Sequence, residues 1–430
     1  RPENRWDFFY GFSGGWRLSE EEFMKNVKFV NELKLRLSYG VVGNQSGISR
    51  YDGMQLYNFN SVNGAYIGDG RISYIKTSGE IATMGRSWER IHNYNLGLDF
   101  HLFDSRLQGT VELFMKKNNN MLIAVAYPGI LGDKAPASNS GKFEAKGYEG
   151  TVTWSDKIGK VNYHVGGTFT YADNKLVDYG GVTVFKSGFV DKQQGYSLNS
   201  VFGLKYCGKI QTEEQLRKYI YKYYNSNGIG MPKDLRLGDN MYEDVNGDGK
   251  LDEKDYVYLG SDDPKISYSF NVGIEWNNFD LSAVFQGTAK RTIFRDESND
   301  NYRIPMRAAH LNSTTQSVGN VWSPDNRDGR YPTYTNISTI NNYNYQCSSW
   351  SVENGNYLRL KSLTLGYNFP ASLLSKTKAI SRLRIYVSGA DLWEVSKIND
   401  GWDPEASRKV SGNGRFPFNR TCTVGLDVTF

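Results

Sequence analysis

Apolar and polar residues alternate with a period of two along most of this chain. In the last ten residues Cys422, Val424, Leu426, Val428 and Phe430 share one parity, and Thr421, Thr423, Gly425, Asp427 and Thr429 share the other. A period of two places one face of a strand against an apolar environment and the other against a polar one. Upstream, Leu33, Leu35, Leu37, Tyr39 and Val41 oppose Lys34, Arg36, Ser38 and Gly40. Tyr94, Leu96, Leu98, Phe100 and Leu102 run to a tight turn at Asp104 and Ser105. Leu107, Val111, Leu113 and Met115 then oppose Gln108, Thr110, Glu112 and Lys116, which predicts a hairpin. Tyr148 to Trp154 with Val161 to Tyr171 predicts a second. Ile266 to Trp276 with Phe279 to Phe285, turning at Asn277 and Asn278, predicts a third. Between Tyr357 and Phe369 the apolar parity switches, so a bulge is expected near Lys361 and Ser362, because one extra residue reverses the face. The whole pattern predicts about 11 to 13 strands of roughly ten residues each.

The connections are unequal. Turns within hairpins are short, whereas segments 45–80, 120–143, 173–264, 295–350 and 395–416 are long and polar. Short turns on one side and long loops on the other indicate an all-β, antiparallel transmembrane β-barrel with long extracellular loops. A soluble sandwich has loops of similar length at both ends. Two stretches read as helices in the connections: Ser19 to Val30, with a Ser19 and Glu22 capping box, and Thr212 to Tyr224, with Thr212 and Gln215. Trp88, Trp154, Trp276, Tyr367 and Trp393, at strand ends, are expected to form interfacial girdles.

Composition fits this reading. Among 430 residues are 30 Tyr, 22 Phe, 9 Trp and 45 Gly but only 11 Pro, which suits strands and turns. The mean hydropathy of −0.56 is low, but a barrel carries its apolar residues at alternate positions and its loops dilute them. The net charge of +5 arises from 51 basic and 46 acidic residues spread along the chain, without a basic cluster, so nucleic acid is not expected as a partner. Cys207, Cys347 and Cys422 lack metal-ligand spacing. A Cys207 to Cys347 bridge is an alternative to three unpaired thiols.

One segment carries the pattern of a calcium loop. Asp244, Asn246, Asp248, Lys250, Asp252 and Asp255 occupy positions 1, 3, 5, 7, 9 and 12, with Gly249 at the sharp turn. Carboxylate and amide oxygens so spaced, with the Lys250 carbonyl, can converge on one hard cation, which predicts structural Ca²⁺. Asp at position 12 shortens the bidentate arm and weakens binding. Gly11-Phe12-Ser13-Gly14-Gly15 matches G-x-S-x-G, but it lies within an alternating strand, whereas a nucleophile elbow needs a strand-to-helix turn. His92, His101, His164 and His310 are scattered, and no catalytic constellation emerges. Aromatic residues sit among Asn, Asp and Arg in the long loops. Tyr302, Trp322, Tyr331, Tyr343 and Trp350 are the candidates for contact with a sugar or peptide. Packing inside the loops is the alternative role for each, since large loops need cores of their own.

Several segments together resemble the SusC/RagA family of TonB-dependent outer-membrane transporters: RPENRWDFF with GWRLSEEEFM, LKLRLSYGVVGN, YEDVNGDGKLDEKD, NYLRLKSLTLGYNFP, LRIYVSGADLWEVSKINDGWDPE and the final VGLDVTF. The resemblance implies that residues 1–430 are the C-terminal part of a large plugged barrel of a Gram-negative outer membrane, with 173–264 as a loop region that includes the acidic loop 244–255. It further implies import of an oligomeric nutrient, oligosaccharide or peptide, with a SusD-like surface lipoprotein as lid and the TonB complex engaged through an N-terminal part that matches nothing here. The acidic loop of the family maps onto Asp244, Asn246, Asp248, Lys250, Asp252 and Asp255. A cell-surface glycan-binding or adhesin protein without transport is the other reading, and recovery in soluble extract would favour it. In a barrel the even-numbered row ending at Phe430 should face lipid. Thr423, Asp427 and Thr429 should face the lumen, and the last strand should pair with a first strand outside this chain.

Overall fold

Each alternating segment is a strand, and the strands pair in chain order. The computed structural model describes residues 6–48, 51, 54–67, 70–78, 81–82, 85–124, 136–180, 188–190, 193–223, 232–294, 317–375, 379–398, 403–405 and 419–430. Eleven strands form one antiparallel meander: β1 Gly11–Arg17, β2 Val30–Asn44, β3 Glu89–Leu102, β4 Leu107–Ala124, β5 Ala137–Ile158, β6 Val161–Asp178, β7 Ile266–Trp276, β8 Phe279–Ala289, β9 Tyr357–Asn368, β10 Arg382–Ser396 and β11 Thr421–Thr429. The short turns fall where the sequence placed them. Phe103, Asp104 and Ser105 hold φ near +60°, as does Gly159 before Lys160, and Asn277 sits at +53°. These left-handed conformations let a tight turn reverse two twisted strands. At the opposite end every connection is long: 45–88, 125–136, 179–265, 290–356 and 397–420.

The registers align the apolar rows across the sheet. Leu37 pairs with Leu96, Leu96 with Leu113, and Leu113 with Tyr148. These four side chains are exposed by 63%, 40%, 52% and 45%. Phe279, Leu365, Ile385, Val387, Val424 and Leu426 extend the exposed apolar face along β8 to β11. A band of this extent on a sheet requires an apolar surrounding, because water would penalise it at about 25 cal/mol for each Å² exposed. Aromatic rings edge it at the short-turn side. Phe29, Phe103 and Trp154 stand 5.7 and 6.2 Å apart in sequence of contact, and Trp276, Phe279, Tyr367 and Phe369 follow at 6.5, 4.8 and 5.3 Å. Trp88 packs beside Phe9 at the loop end, and Trp393 is exposed on β10.

The expected bulge is present. Val284 pairs with Ser362 and Phe285 with Leu360, so Lys361 is the extra residue, and the apolar parity is restored beyond it. One helix differs from expectation. Ser19 to Val30 forms two short 3₁₀ turns, Leu18–Glu20 and Glu22–Met24. The Ser19 hydroxyl caps nothing, and Trp16 Nε1 donates instead to Glu21 at 2.7 Å. The two turns bury no residue, and Phe23 and Phe29 stay 64% and 52% exposed, so the segment has no packed face to hold a helix. The other helix forms as α1, Glu213–Tyr223. Thr212 Oγ1 accepts from the Gln215 amide at 3.2 Å, while the Gln215 side chain reaches the Gln211 amide at 2.8 Å rather than that of Thr212. All three cysteines are free thiols, Cys347 buried and Cys207 exposed, so the bridge is not formed.

Candidate functional site

The polar face opposite the apolar belt is lined by ion pairs. Arg36 on β2 donates from Nε and Nη2 to the Asp99 carboxylate at 2.7 and 2.8 Å, and from Nη2 to Glu112 at 2.5 Å. Asn95 Nδ2 donates to Glu112 at 3.0 Å. On β8 to β11, Arg384 Nη2 lies 2.6 Å from Asp280 and Nη1 lies 3.3 Å from Asp427. Gly97 and Gly366 have no side chain because these guanidinium groups lie over them; an added Cβ would stand 2.9 Å from Arg36 and 2.6 Å from Arg384. Paired charges on one face and lipid-type side chains on the other define a wall with a hydrated interior. Asp427 therefore lies on the inner face, as its parity predicted.

Towards the loop end, Arg359 is 1% exposed and surrounded by carboxylates. Its Nη2 and Nε reach Glu394, Nη2 reaches Asp403 at 2.7 Å, and Nη1 reaches Glu405 at 3.1 Å. Lys361 joins Glu405 and Asp391, each at 3.0 Å. Segment 403–405 is thereby clamped to β9 and β10. Apart from Lys361, at the expected bulge, these residues enter the sequence reading only within the segments that carry the family resemblance. The usable signal was polar-parity charge of both signs on successive strands.

Above the wall, the two longest loops pack into one body. Leu204, Ile210, Tyr219, Tyr223, Leu235, Tyr242 and Leu251 from 179–265 enclose Tyr343 from α2, Ser338–Asn344, in the 290–356 loop. Tyr219 and Tyr343 share a hydroxyl hydrogen bond of 2.7 Å, and the Tyr242 amide donates to Tyr219 at 2.8 Å. The Asn240 amide donates to Asn344 Oδ1, and Asn344 Nδ2 donates to Asp239 Oδ1, each at 2.8 Å. Burial pushes the Asp239 carboxyl above its ordinary value, offset in part by those donors, and pushes the Tyr219 and Tyr343 hydroxyls up as well.

This packing decides where the candidate rings stand. Trp322, Tyr331 and Tyr343 are 5%, 4% and 3% exposed, inside the loop body. Trp322 covers Gly238, whose φ of +87° and ring contact exclude a side chain, and its Nε1 donates to Gln211 at 2.9 Å. Trp350 is half-buried against Tyr345 and Tyr331, and its Nε1 donates to the Arg330 carbonyl at 3.3 Å. Tyr302 lies outside the described residues, as does His310.

The acidic loop abuts α1. Asp244 accepts from the amides of Gly247 at 2.7 Å and Gly249 at 3.0 Å, and Lys222 Nζ stands 3.5 Å away. Burial raises the Asp244 carboxyl, but those amides and Lys222 outweigh it and hold it below the usual range. Gly247 and Gly249 hold φ of +75° and +79°, which supplies the turn. Asn246 accepts from the Asp248 amide, Asp248 from Lys250, and Asp252 from Lys254, at 2.8, 2.9 and 2.8 Å. Buried Asp255 accepts from the amides of Val245 and Asp252, both at 2.9 Å. The carboxylates thus bond to the loop's own backbone. Among the described residues no group of three or more His, Cys, Asp or Glu side chains converges at metal-holding distance. Ser13 lies within β1, paired with Ser38, and not at an elbow.

Comparison with known proteins agrees with this architecture. Residues 2–248 match the family described as TonB dependent receptor-like, beta-barrel. The chain is 28% identical over its full length to TonB-dependent receptor P26 of Formosa agariphila, covering 43% of that protein. It is 24% identical to TonB-dependent receptor SusC of Bacteroides thetaiotaomicron, covering all of this chain and 40% of SusC. The chain thus spans less than half the length of these curated relatives. Its fold is similar to that of the RagAB peptide transporter, with a TM-score of 0.77, 24% identity, and coverage of 100% of this chain and 44% of that one. The strand meander, the two-faced wall and these matches place the chain, as an outer-membrane protein, in the TonB-dependent receptor β-barrel family, of the SusC/RagA type.

Proposed function

We propose that this chain forms the C-terminal part of the wall, and the loop roof above it, of an importer that carries an oligomeric nutrient across the outer membrane. The observation that carries the reading is the two-faced wall: exposed Leu37, Leu96 and Leu113 on one side, and the Arg36, Asp99 and Glu112 pairs on the other. Paired charges give the lumen a polar lining along which a hydrated solute can be held and released. An oligosaccharide is the favoured nutrient and a peptide the second, since the similarly folded RagAB is a peptide transporter. A SusD-like surface lipoprotein is the proposed lid on the loop face, and the TonB complex is the proposed source of force, acting through an N-terminal part. Of the candidate rings, Trp350 is carried forward as a ligand contact because it is half-buried and not enclosed.

Calcium in loop 244–255 belongs to the same proposal, as a staple. The residue types and the turn made by Gly247 and Gly249 support it. Binding would draw the Asp244, Asn246, Asp248 and Asp255 oxygens and the Lys250 carbonyl to one ion, with Asp252 reaching it through water, in exchange for part of their bonding to backbone amides. The decisive experiment for import is deletion of the gene followed by growth and uptake on panels of defined oligosaccharides and peptides. Loss of uptake of one class is expected, and unchanged uptake of every candidate would refute import.

A further inference from the structure

A cavity of about 550 Å³ lies at the loop end of β6 to β8, and nothing in the import reading uses it. Its floor is Tyr171, which shares the outward parity of β6 with Phe169 and Val165. Tyr171 stacks on Tyr148 at 5.2 Å, and Tyr148 stacks on Phe169 at 5.9 Å; both of those rings are exposed on the apolar belt. The floor is therefore continuous with the lipid-facing wall. Three cations line the cavity, Lys265, Lys290 and Arg291, with one carboxylate, Glu353, which is held by Arg330 Nη2 at 2.5 Å. Lys265 is paired with Asp173 at 2.9 Å, and Arg291 is held by Asp262 at 3.1 Å. Lys290 has no carboxylate partner among the described residues. Its Nζ stands 5.5 Å from the centre of the Tyr171 ring, and its backbone sits at φ +55°, a conformation an ordinary side chain adopts at a cost. Asn354 and Asn356 add amides to the same wall.

We infer that this cavity binds the phosphate-bearing headgroup of a glycolipid of the outer leaflet, with Lys290 on the phosphate, the amides on sugar hydroxyls and the acyl chains along Tyr171, Tyr148 and Phe169. A basic pocket at the membrane boundary, over exposed aromatics, matches a lipid that is anionic above and apolar below. Free phosphate shares only the first of these features, so the lipid is the committed ligand.

The test uses the intact receptor in nanodiscs and counts retained lipid by native mass spectrometry, with a phosphorylated lipid A-type glycolipid and its dephosphorylated form as probes. One phosphorylated lipid retained per receptor is expected, with dephosphorylated lipid held roughly tenfold more weakly. Lys290→Glu and the milder Lys290→Gln should each reduce retention, while Lys34→Gln, on the inner parity of β2, should not. Heat-modifiable migration on gels verifies that each variant is folded. Equal retention of both lipids, full retention by Lys290→Glu, or displacement of the lipid by inorganic phosphate alone at equal concentration would each overturn the inference. The readout is lipid occupancy, so its failure would leave the import reading standing, and failure of import would leave this site standing.

Discussion

Replacing Leu113 by Arg separates a lipid-facing wall from a water-facing one. Leu113 is 52% exposed and flanked in register by Leu96 and Tyr148. Strand β4 leaves its short turn at Leu107, so Leu113 is six positions along it (113 − 107). At about 3.4 Å per residue and a tilt of about 40°, it sits about 15 Å above that rim, near the middle of the apolar layer. An Arg there should cost about 2–4 kcal/mol, falling to about 0–1 kcal/mol near an interface. That is a roughly thirty- to several-hundred-fold shift in the folding equilibrium. Ile158, 68% exposed at the last position of β5 before Gly159, supplies the rim comparison. The assay is guanidinium unfolding of the intact receptor in lipid vesicles, followed by tryptophan fluorescence and by heat-modifiable migration. On a soluble surface both substitutions would stay within about 0.5 kcal/mol. A Leu113→Arg cost below that, or equal costs at Leu113 and Ile158, would refute the lipid-facing assignment.

Arg359→Met should release segment 403–405, because three carboxylates lose a shared cation; about 3 kcal/mol of local stability is expected to be lost, read as faster amide exchange there with the wall unchanged. Calcium should raise the thermal midpoint of the intact receptor relative to chelator, with sub-millimolar to millimolar affinity for a loop of this kind, and Asp248→Ala should abolish the gain; identical midpoints in calcium and chelator would dismiss the staple. The loop body should respond to pH in two windows. The raised Asp239 carboxyl makes the folded state the stronger proton binder, so its contribution is full below the unfolded value of about 3.9 and is lost as pH rises through the folded value. The lowered Asp244 carboxyl acts oppositely, stabilising above about 3.9 and failing only as pH falls through its folded value. Near-ultraviolet circular dichroism of the loop tyrosines should therefore show a stabilisation on mild acidification that Asp239→Asn removes, and a flat profile would contradict it.

The wall was legible because its information is local. Parity along a strand is a property of adjacent residues, and a change of parity such as that between Leu360 and Leu363 can be corrected by one bulge at Lys361. The loops were not legible in the same way. Tyr343 and Trp322 look like ligand rings in sequence, since they lie among Asn, Arg and Gly. What buries them is contact with Tyr219, Gly238 and Gln211, about a hundred residues earlier in the chain. Nor does a capping pattern make a helix where nothing covers it. Ser19 and Glu22 have the right spacing but no packed face, whereas Thr212 and Gln215 open α1, which buries Tyr219 and Tyr223.

The acidic loop ties these observations together. Its turn is fixed from within, by amides folded around Asp244 and Asp255, and its Leu251 is buried in the same core as Tyr343. Lys222 of α1 meets Asp244 from the side. The loop therefore joins the helix to the roof whether or not a cation adds to it, and a cation would act on the rigidity of the roof and not on the wall. A lid docked on that roof would sense the difference, since the surface it meets is carried by α1 and α2, and both are fastened to the same tyrosine core. Calcium dependence of lid affinity, measured with wall stability unchanged, follows from that connection. Loss of wall stability in chelator would show instead that the loop and the barrel unfold as one unit.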